Sequence, residues 1–448
     1  MDVMAIEGGL PLRGEAEIHG AKNAVLPVLA AALLCPRSIL RRCPMLTDVW
    51  SACRILEHLG CRVTVLREDR TLTVEAWEAR EYGIPDTLAG EMRGSIIFLG
   101  ALLARFGRAH IALPGGCRLG PRPIDLHIGG LRRMGVRIIE QEDGLLCTAE
   151  DGLRGADIRL SYPSVGATEN LLIAAALARG ETILRGAAGE PEIDGLIDFL
   201  NRAGARISRE DGLIRIEGVQ RLREVDYTII PDRIEAATYL SAAAATGGEI
   251  TLKGVELSHL EAVLPVFEEM GCRLNRGAGQ LTLTAPKRLS PIAVTTAPYP
   301  DFPTDALAPV MAASLLAEGE SRFEEGVFDS RYLHVEQLQE MGGQIRLDGQ
   351  KARVTGVDAL RAGKQLHCTD LRGGAALVIA ALAAQGVSMI GDLRHICRGY
   401  DDLPAVLRRL GGRVWMISGV EEPHLPRTAA FNAFGHPFHP ECLPQNVL

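Results

Sequence analysis

The sequence predicts an α/β protein of two domains, each built from three copies of one βαβαββ unit with its helices inside. Its length and two recurring patterns support this prediction. A chain of 448 residues exceeds one simple core, since single cores rarely grow beyond about 250–300 residues. With 47% hydrophobic and 23% charged residues, the composition is that of an ordinary globular protein.

The first pattern is the end of an amphipathic helix, then a glycine, then a β-type run, as in Leu56–Val63. A glycine after a helix supplies the left-handed backbone that ends it. The pattern occurs six times, with its glycine at positions 60, 135, 204, 271, 342 and 411. Recurrence at an interval of about 70 residues indicates a structural repeat.

The second pattern is an alanine-rich helix that ends in glycine and runs into a strand. Copies lie at Ala174–Leu184, Ala242–Leu252, Ala312–Phe323 and Ala380–Ile390, and Leu102–Ile111 matches them. These helices are apolar nearly all round, so we expect them inside, with sheets packed outside them. Each unit therefore holds two helices followed by short strands.

The six units divide three and three, with the chain crossing between domains near Arg13–Lys22 and again near Tyr227–Pro231. The predicted domains are residues 22–229, and residues 1–21 together with 230–418. Residues 419–448 fall outside the repeat and are predicted to be a flexible tail or a dimer contact. In that tail His436, His439 and Cys442 have a spacing that could hold a metal.

Charge and cysteine usage restrict the class of protein. The net charge of −8 argues against a general nucleic-acid binder, and no stretch reaches the roughly 20 apolar residues of a membrane span. The N-terminus has no signal-peptide pattern. Most of the ten cysteines, such as Cys53, Cys61 and Cys272, lie in apolar contexts, which fits a reducing cytosol. We therefore expect a cytoplasmic protein without nucleic-acid or membrane partners.

Several loops carry polar residues that packing does not explain. Lys22 and Asn23 precede an apolar helix, and a lysine at a helix N-terminus favours anions. Cys117 follows two glycines and is flanked by Arg118 and Arg122, which favour a reactive thiolate. No nucleotide-binding P-loop, Rossmann glycine fingerprint or HExxH zinc motif is present.

A carboxylate pair and four arginines complete the candidate site. Asp301 and Asp305 precede an apolar helix, and Asp305 is either a functional carboxylate or a helix N-cap. Arginines recur at comparable points of successive repeats, at Arg93, Arg331, Arg372 and Arg398. Their recurrence predicts one cleft, lined by both domains, that closes on an anionic phosphorylated substrate.

These residues stand in motifs that resemble the UDP-N-acetylglucosamine 1-carboxyvinyltransferase family of enolpyruvyl transferases. The resemblance covers residues 1 to about 418 in order. The motifs are GAKN at 20–23, LPGGCRLGPRPIDLH at 113–127, SVGATEN at 164–170, PDRIEA at 231–236, FPTD at 302–305, SRYLHVEQL at 330–338, TDLRGGAAL at 369–377 and RGYDDL at 398–403. The family's fold is a pair of inside-out α/β domains made of six such units, with the active site in the interdomain cleft.

The resemblance implies transfer of enolpyruvyl from phosphoenolpyruvate to the 3′-hydroxyl of UDP-N-acetylglucosamine, with release of phosphate, in the first committed step of peptidoglycan synthesis. It implies no metal or organic cofactor, and it adds fosfomycin as an inhibitor that alkylates Cys117. By motif, Cys117 is the acid that protonates the methylene carbon and Asp305 is the base. The implied phosphoenolpyruvate ligands are Lys22, Arg122 and Arg398, with Arg331 and Arg372 close by. The implied nucleotide-sugar ligands are Asn23, Arg93, Arg122, Pro123, Ile124, Asp125, Leu126, Tyr162, Pro163, Ser164, Val165 and Val327.

Departures from the family pattern are few. Cys397 stands where members usually carry aspartate, which puts the local charge beside Arg398 in doubt. Tyr162 and Pro163 replace a Lys-Val pair seen in some members, and the tail after residue 418 is longer than usual.

Three other functions are compatible with parts of the sequence. One is 5-enolpyruvylshikimate-3-phosphate synthase, which shares the fold and reaction type but has no cysteine acid like Cys117. Another is RNA 3′-phosphate cyclase, which would require a nucleotidylated histidine and a more basic surface. The third is a non-catalytic sensor of nucleotide sugars, disfavoured by the intact Lys22, Cys117, Asp305 and Arg398.

Overall fold

The computed structural model describes residues 2–112, 123–210 and 212–418. Within these ranges the chain forms 24 strands and 13 α-helices. The strands are β1 (Val3–Gly8), β2 (Arg13–Glu17), β3 (Arg37–Arg41), β4 (Arg62–Leu66), β5 (Thr71–Glu75), β6 (Gly83–Ile84), β7 (Arg108–Ile111), β8 (Arg137–Gln141), β9 (Gly144–Thr148), β10 (Asp157–Arg159), β11 (Glu181–Arg185), β12 (Arg206–Glu210), β13 (Leu213–Glu217), β14 (Val225–Thr228), β15 (Glu249–Lys253), β16 (Arg273–Gly277), β17 (Gln280–Thr284), β18 (Ala293–Thr295), β19 (Glu320–Glu324), β20 (Gln344–Asp348), β21 (Lys351–Thr355), β22 (Leu366–His367), β23 (Gly386–Gly391) and β24 (Arg413–Ile417).

The helices alternate with these strands, and short 3₁₀ turns lie at Arg93–Ile97, Leu257–Leu260 and Leu393–Arg398. The α-helices are α1 (Lys22–Ala32), α2 (Thr47–His58), α3 (Asp86–Ala89), α4 (Phe98–Phe106), α5 (Asp125–Arg133), α6 (Val165–Ala175), α7 (Pro191–Arg202), α8 (Arg233–Ala245), α9 (Leu264–Glu269), α10 (Thr304–Ser314), α11 (Val335–Glu340), α12 (Leu371–Ala383) and α13 (Leu403–Arg409). None of the helices in the described ranges has the length and apolar character to cross a bilayer.

Six four-stranded sheets repeat one topology. In the sheet β18-β19-β21-β20, β18 pairs parallel with β19, and β21 pairs antiparallel with both β19 and β20. With α10 and α11 between the strands, this is the βαβαββ unit. The predicted fold class is confirmed.

Three sheets include a strand from a distant part of the chain. β14 pairs parallel with β3, and β2 pairs parallel with β15. β1 lies between β23 and β24, antiparallel to both. The N-terminal strands therefore complete sheets of the second half, and β14 completes the first sheet of the first half.

The described residues form two separate hydrophobic cores. One core runs from Ala21 to Ile229. The other combines Met4–Ile18 with residues between Ala236 and Val414. In each core the alanine-rich helices are buried on nearly every side, as in α1 and α8, and small side chains allow this close packing. On this basis we propose the predicted boundaries, 22–229 and 1–21 with 230–418, as two domains.

The two segments that join the cores lie side by side. Gly20 and Pro231 form an antiparallel bridge, and the Ala21 amide donates to the Ile230 carbonyl at 2.7 Å. Asp232 caps α8 by accepting the Ile234 amide at 2.8 Å, and its other carboxylate oxygen accepts the Lys22 amide at 3.1 Å. One carboxylate therefore contacts the first turn of a buried helix in each core, α1 and α8.

The glycines of the first pattern have the conformation that the sequence predicts. All six have a positive φ, between 83° at Gly411 and 102° at Gly204. The second pattern is less uniform, because Gly247 rather than Gly248 takes the left-handed conformation after α8.

Candidate active site

Lys22 and Arg398, both predicted anion ligands, meet at one buried carboxylate. Lys22 is the first residue of α1, and its Nζ lies 2.9 Å from Asp48 Oδ2. Arg398 ends a 3₁₀ turn of the other core and donates from Nε to Asp48 Oδ1 at 2.9 Å. The sequence offered no signal for Asp48, which looks like an ordinary first-turn carboxylate of α2.

Asp48 is ionised in this setting. Burial alone would raise the pKa of the carboxyl, but Lys22 and Arg398 together hold it below its usual range. Opposite charges at hydrogen-bond distance outweigh desolvation here.

Asp305 lies in the first turn of α10 and is paired with two predicted arginines. Arg331 approaches Asp305 Oδ1 to 2.5 Å, and Arg372 approaches Oδ2 to 2.9 Å. Both arginine side chains are buried. Burial would raise the pKa of Asp305, but Arg372 and Arg331 bring it far below the ordinary value.

The alternative of Asp305 as an N-cap is wrong. Pro303 occupies the N-cap position of α10, without a side-chain cap. Asp305 is the second residue of the helix, two positions after Pro303, and its carboxylate pairs with Arg331 and Arg372 instead of with backbone amides.

A series of hydrogen bonds connects the Arg372 guanidinium to the backbone of α8. Its Nη1 donates to Tyr400 Oη at 3.1 Å, and Tyr400 Oη lies 2.8 Å from Thr238 Oγ1. Thr238 in turn donates to the Ile234 carbonyl at 2.8 Å. Because Thr238 donates its own proton to the backbone of α8, Tyr400 must donate to Thr238, and Arg372 donates to Tyr400. The sequence did not predict this supporting role of Tyr400 and Thr238, because neither residue type is unusual among its neighbours in the sequence.

The loop that carries Val327 is tied to the start of α10. Buried Glu325 accepts the Val327 amide at 2.8 Å through Oε1 and the Thr304 hydroxyl at 2.9 Å through Oε2. Val327 is thus held beside the residue that precedes Asp305. Glu325 is a second positioning carboxylate that the motifs did not single out.

Residues expected to bind the nucleotide sugar lie at three converging element starts in the first core. Arg93 begins a 3₁₀ turn, Asp125 and Leu126 begin α5, and Val165 begins α6 after its N-cap Ser164. Asn170 joins these elements, since its Nδ2 lies 2.9 Å from both the Ile96 carbonyl and His127 Nδ1, and its Oδ1 accepts the Gly100 amide.

The remaining sugar candidates flank these starts. Asn23 is the second residue of α1, and Pro123 and Ile124 lead into α5. Tyr162 is partly exposed, and its carbonyl accepts the Ser164 amide at 2.7 Å. Pro163 lies between them.

The two charged clusters are adjacent. Asp232 accepts the Lys22 amide and is close enough to Arg372 for the guanidinium to affect its pKa. Arg398 is also only two residues from Tyr400. The described part of the chain therefore brings Lys22, Arg398, Arg372, Arg331 and Asp305 into one region between the cores.

Some predicted residues lie outside the described ranges. These are Cys117, Arg118 and Arg122 in the glycine-rich loop, and His436, His439 and Cys442 in the tail. Of the cysteines within the described ranges, seven are buried and Cys397 is exposed. Cys53, Cys61 and Cys272 are all buried in the hydrophobic cores, so their interpretation as core residues is confirmed. Burial raises the pKa of the Cys272 thiol to about 12.

Comparison with known proteins decides the family. The sequence pattern described as EPSP synthase (3-phosphoshikimate 1-carboxyvinyltransferase) matches residues 6–407. The chain belongs to this family of enolpyruvyl transferases. Together with the named relatives below, this match confirms the resemblance seen in the motifs and the prediction that the chain is an enzyme.

Two relatives within the enolpyruvyl transferase family show high similarity. A protein of Caldanaerobacter subterraneus named UDP-N-acetylglucosamine 1-carboxyvinyltransferase 2 is 45% identical over 93% of this chain and 100% of its own. A Coxiella burnetii protein named UDP-N-acetylglucosamine 1-carboxyvinyltransferase is 43% identical over 93% of this chain and 96% of its own.

Solved structures of enolpyruvyl transferases share the architecture. NikO of Streptomyces tendae, an enolpyruvyl transferase, superposes with a TM-score of 0.84 at 26% identity, covering 93% of this chain and 98% of its own. An EPSP synthase of Acinetobacter baumannii gives 0.73 at 18% identity over 93% of this chain and 100% of its own. The second likeness shows the fold alone.

Proposed function

We propose that this enzyme transfers enolpyruvyl from phosphoenolpyruvate to the 3′-hydroxyl of UDP-N-acetylglucosamine, releasing phosphate, in the first committed step of peptidoglycan synthesis. The observation that carries the proposal is the 45% and 43% identity to relatives named for this reaction, over more than nine-tenths of the chain. We place the reaction in the cytoplasm, with small-molecule substrates only.

The cationic side chains supply positive charge that can bind the phosphate and carboxylate of phosphoenolpyruvate. Lys22 and Arg398 lie together at Asp48, and Arg331 and Arg372 lie together at Asp305. Fixed cations stabilise charge that develops on the phosphate and carboxylate during reaction, without having to reorganise. Arg122 is assigned to the same anion by the family motif.

Asp305 is proposed as the base that takes the 3′-hydroxyl proton. Its depressed pKa keeps it ionised and able to accept a proton, but also makes it a weak base. We infer that the proton moves as the oxygen bonds to C2 of phosphoenolpyruvate, because bond formation makes the hydroxyl strongly acidic. The Cys117 thiol would protonate C3 at the same stage, giving a tetrahedral ketal.

Collapse of the ketal completes the transfer. The Cys117 thiolate takes a proton back from the new methyl group, and the C2–O bond to phosphate breaks. The proton held by Asp305 passes to the departing phosphate, and the enolpyruvyl ether and inorganic phosphate leave. Arg93, Ser164 and Val165, at two of the three converging element starts, together with Asp125 and Leu126 at the start of α5, are proposed to hold the nucleotide sugar. Asn23, Pro123, Ile124, Tyr162, Pro163 and Val327 are proposed to complete that pocket.

Phosphate release with two alternative acceptors tests the proposal. We expect release from phosphoenolpyruvate with UDP-N-acetylglucosamine, and almost none with shikimate 3-phosphate, the acceptor of EPSP synthases. A mass increase of the nucleotide sugar by one enolpyruvyl group identifies the product. Turnover with shikimate 3-phosphate alone would refute the proposed acceptor, and turnover with neither would refute the reaction.

A further inference from the structure

The Asp48 carboxylate is buried between two cations that come from different cores. Lys22 belongs to the core of residues 21–229, as does Asp48 itself, whereas Arg398 belongs to the other. The three side chains form a compact set, with Lys22 Nζ at 2.9 Å from Oδ2 and Arg398 Nε at 2.9 Å from Oδ1. A second Arg398 nitrogen lies 3.3 Å from Oδ2, so the guanidinium is held by both carboxylate oxygens.

We propose that Asp48 is a positioning residue that assembles the phosphoenolpyruvate anion site by holding Lys22 and Arg398 together across the two cores. This inference rests on the proposed function, since it assigns Lys22 and Arg398 to the substrate anion. Asp48 itself does not touch the substrate. It acts through the two cations.

The exposure of the three side chains shows which groups face the cleft. The Asp48 side chain is 5% exposed, against 12% for Lys22 and 21% for Arg398. The carboxylate is therefore more deeply buried than the two cations, whose side chains remain partly exposed. Counted by themselves, these three side chains carry a net positive charge, which favours an anion.

Holding the cations in place in advance has a physical benefit. Lysine and arginine have long, flexible side chains, and fixing them costs conformational entropy. Without Asp48, the free energy of substrate binding would have to offset that cost. Asp48 is short and lies in the first turn of α2, so its carboxylate is fixed by the helix backbone. Arg398 reaches this carboxylate only when the second core lies against the first, so Asp48 also couples the anion site to the arrangement of the cores.

The chain contains a matched control for this role. Arg233 and Glu192 form another buried ion pair between the two cores, with Nε 3.0 Å from Oε1. Glu192 binds Arg233 through both carboxylate oxygens, at 3.0 and 3.3 Å. Glu192→Gln therefore removes one cross-core pair of similar burial without touching the anion ligands.

Kinetics of Asp48→Asn and Asp48→Glu in the full chain test the proposal. For Asp48→Asn we expect the KM for phosphoenolpyruvate to rise about 10- to 100-fold, the size of loss that small misplacements produce, with little change in the KM for UDP-N-acetylglucosamine. Asp48→Glu keeps the charge and should restore part of the loss. Glu192→Gln should change both KM values alike or neither.

Inorganic phosphate supplies a readout that does not require turnover. Its affinity, measured by calorimetry with UDP-N-acetylglucosamine present, should fall in Asp48→Asn in parallel with the rise in KM, and stay near the parental value in Glu192→Gln. If Asp48→Asn does not fold, the same comparison is made with Asp48→Glu, whose longer side chain should still weaken phosphate binding.

Specific results would overturn the proposal. These are an unchanged phosphate affinity in a folded Asp48 variant, an equal loss for both substrates, or the same phosphate-specific loss in Glu192→Gln. If the parent enzyme shows no phosphate release at all, the proposed function fails. Phosphate affinity in the parent and the Asp48 variants would then still decide whether Asp48 organises an anion site.

Discussion

At the scale of single residues, the site is defined by carboxylates that hold cations. Asp48 holds Lys22 and Arg398, and Asp305 holds Arg331 and Arg372. In both cases the carboxyl pKa lies below its usual range despite burial. The arginines and the lysine are thereby fixed in direction before phosphoenolpyruvate binds, at the cost of a weaker base at Asp305.

Replacing Asp305 by asparagine should affect both turnover and stability. We expect turnover to fall about 10²–10⁴-fold, the usual contribution of a general acid or base. We also expect the free energy of unfolding to fall by on the order of 3 kcal/mol, because Arg331 and Arg372 lose a shared counter-ion. Phosphate release and urea unfolding measure the two effects separately.

Asp301 is the control for this substitution, because it is an exposed carboxylate of the same segment. Asp301→Asn should retain turnover and stability. If Asp305→Asn keeps nearly full activity while Asp301→Asn loses it, Asp305 is not the base.

Thiol labelling should distinguish Cys117 from the other cysteines. The seven buried cysteines of the described ranges are shielded, and burial raises the pKa of Cys35 and Cys43 to about 12. Cys397 is exposed and provides an internal comparison. With sub-stoichiometric fosfomycin or maleimide we expect Cys117 to be modified first, as read by mass spectrometry of digests. Faster labelling at Cys397 would contradict the proposed thiolate character of Cys117.

At the scale of elements, the repeat glycines end helices in two different surroundings. Gly60 and Gly135 have nearly the same φ, 93° and 92°. A Cβ at Gly60 would lie 3.1 Å from the Glu78 carbonyl oxygen, whereas at Gly135 it would meet nothing within 4 Å. The two positions therefore separate backbone strain from steric contact.

Alanine substitutions at these glycines should differ in cost. Gly135→Ala should lower the free energy of unfolding by about 1–2 kcal/mol, the strain of a left-handed non-glycine residue. Gly60→Ala should cost more, because the Glu78 backbone must also move. Urea denaturation of both variants measures the difference. Equal losses would show that the contact at Gly60 relaxes freely.

The junction of α5 and α6 should make stability depend on pH. His127 is buried and accepts a hydrogen bond from Asn170, and burial followed by the charge of Arg93 lowers its pKa to about 4. The unfolded state, with an ordinary pKa of about 6.5, binds more protons between these values. The contribution of His127 to the free energy of unfolding is therefore fully present above pH 6.5. It is lost as the pH falls, by about 2 kcal/mol between pH 7 and 5.

Urea titrations at pH 7 and pH 5 measure this effect. His127→Gln should reduce the pH dependence, while replacement of the exposed His58 by glutamine should not. An unchanged dependence in His127→Gln would exclude His127 as a source. Buried His334, whose pKa is also lowered to about 4 chiefly by burial, should contribute a further part of the pH dependence.

At the scale of the whole molecule, the proposed ligands come from both cores, and the joining segments lie side by side at Gly20 and Pro231. We expect the cores to close on UDP-N-acetylglucosamine, because the reaction requires Asp305 and Arg398 to meet a sugar held by Arg93 and Ser164. Small-angle scattering should show a smaller radius of gyration with saturating ligand. An unchanged profile from an open starting state would contradict closure.

The sequence by itself determined the repeat and the fold class, and it predicted which residues make up the site. Helix ends require a left-handed glycine and buried helices require apolar small residues, so both are readable in short windows such as Leu56–Val63. The family motifs likewise predicted five site residues, because each stands in a short segment that matches the family pattern: Lys22, Asp305, Arg331, Arg372 and Arg398.

Only the tertiary structure decided which of these groups meet. Asp48 and Arg398 are 350 residues apart in the chain, and Arg372 and Asp305 are 67 apart. Ion pairs depend on where the chain returns in space, and no local pattern encodes that path. For the same reason, only the tertiary structure shows that β1 lies between β23 and β24. It also shows that Tyr400 accepts a hydrogen bond from Arg372.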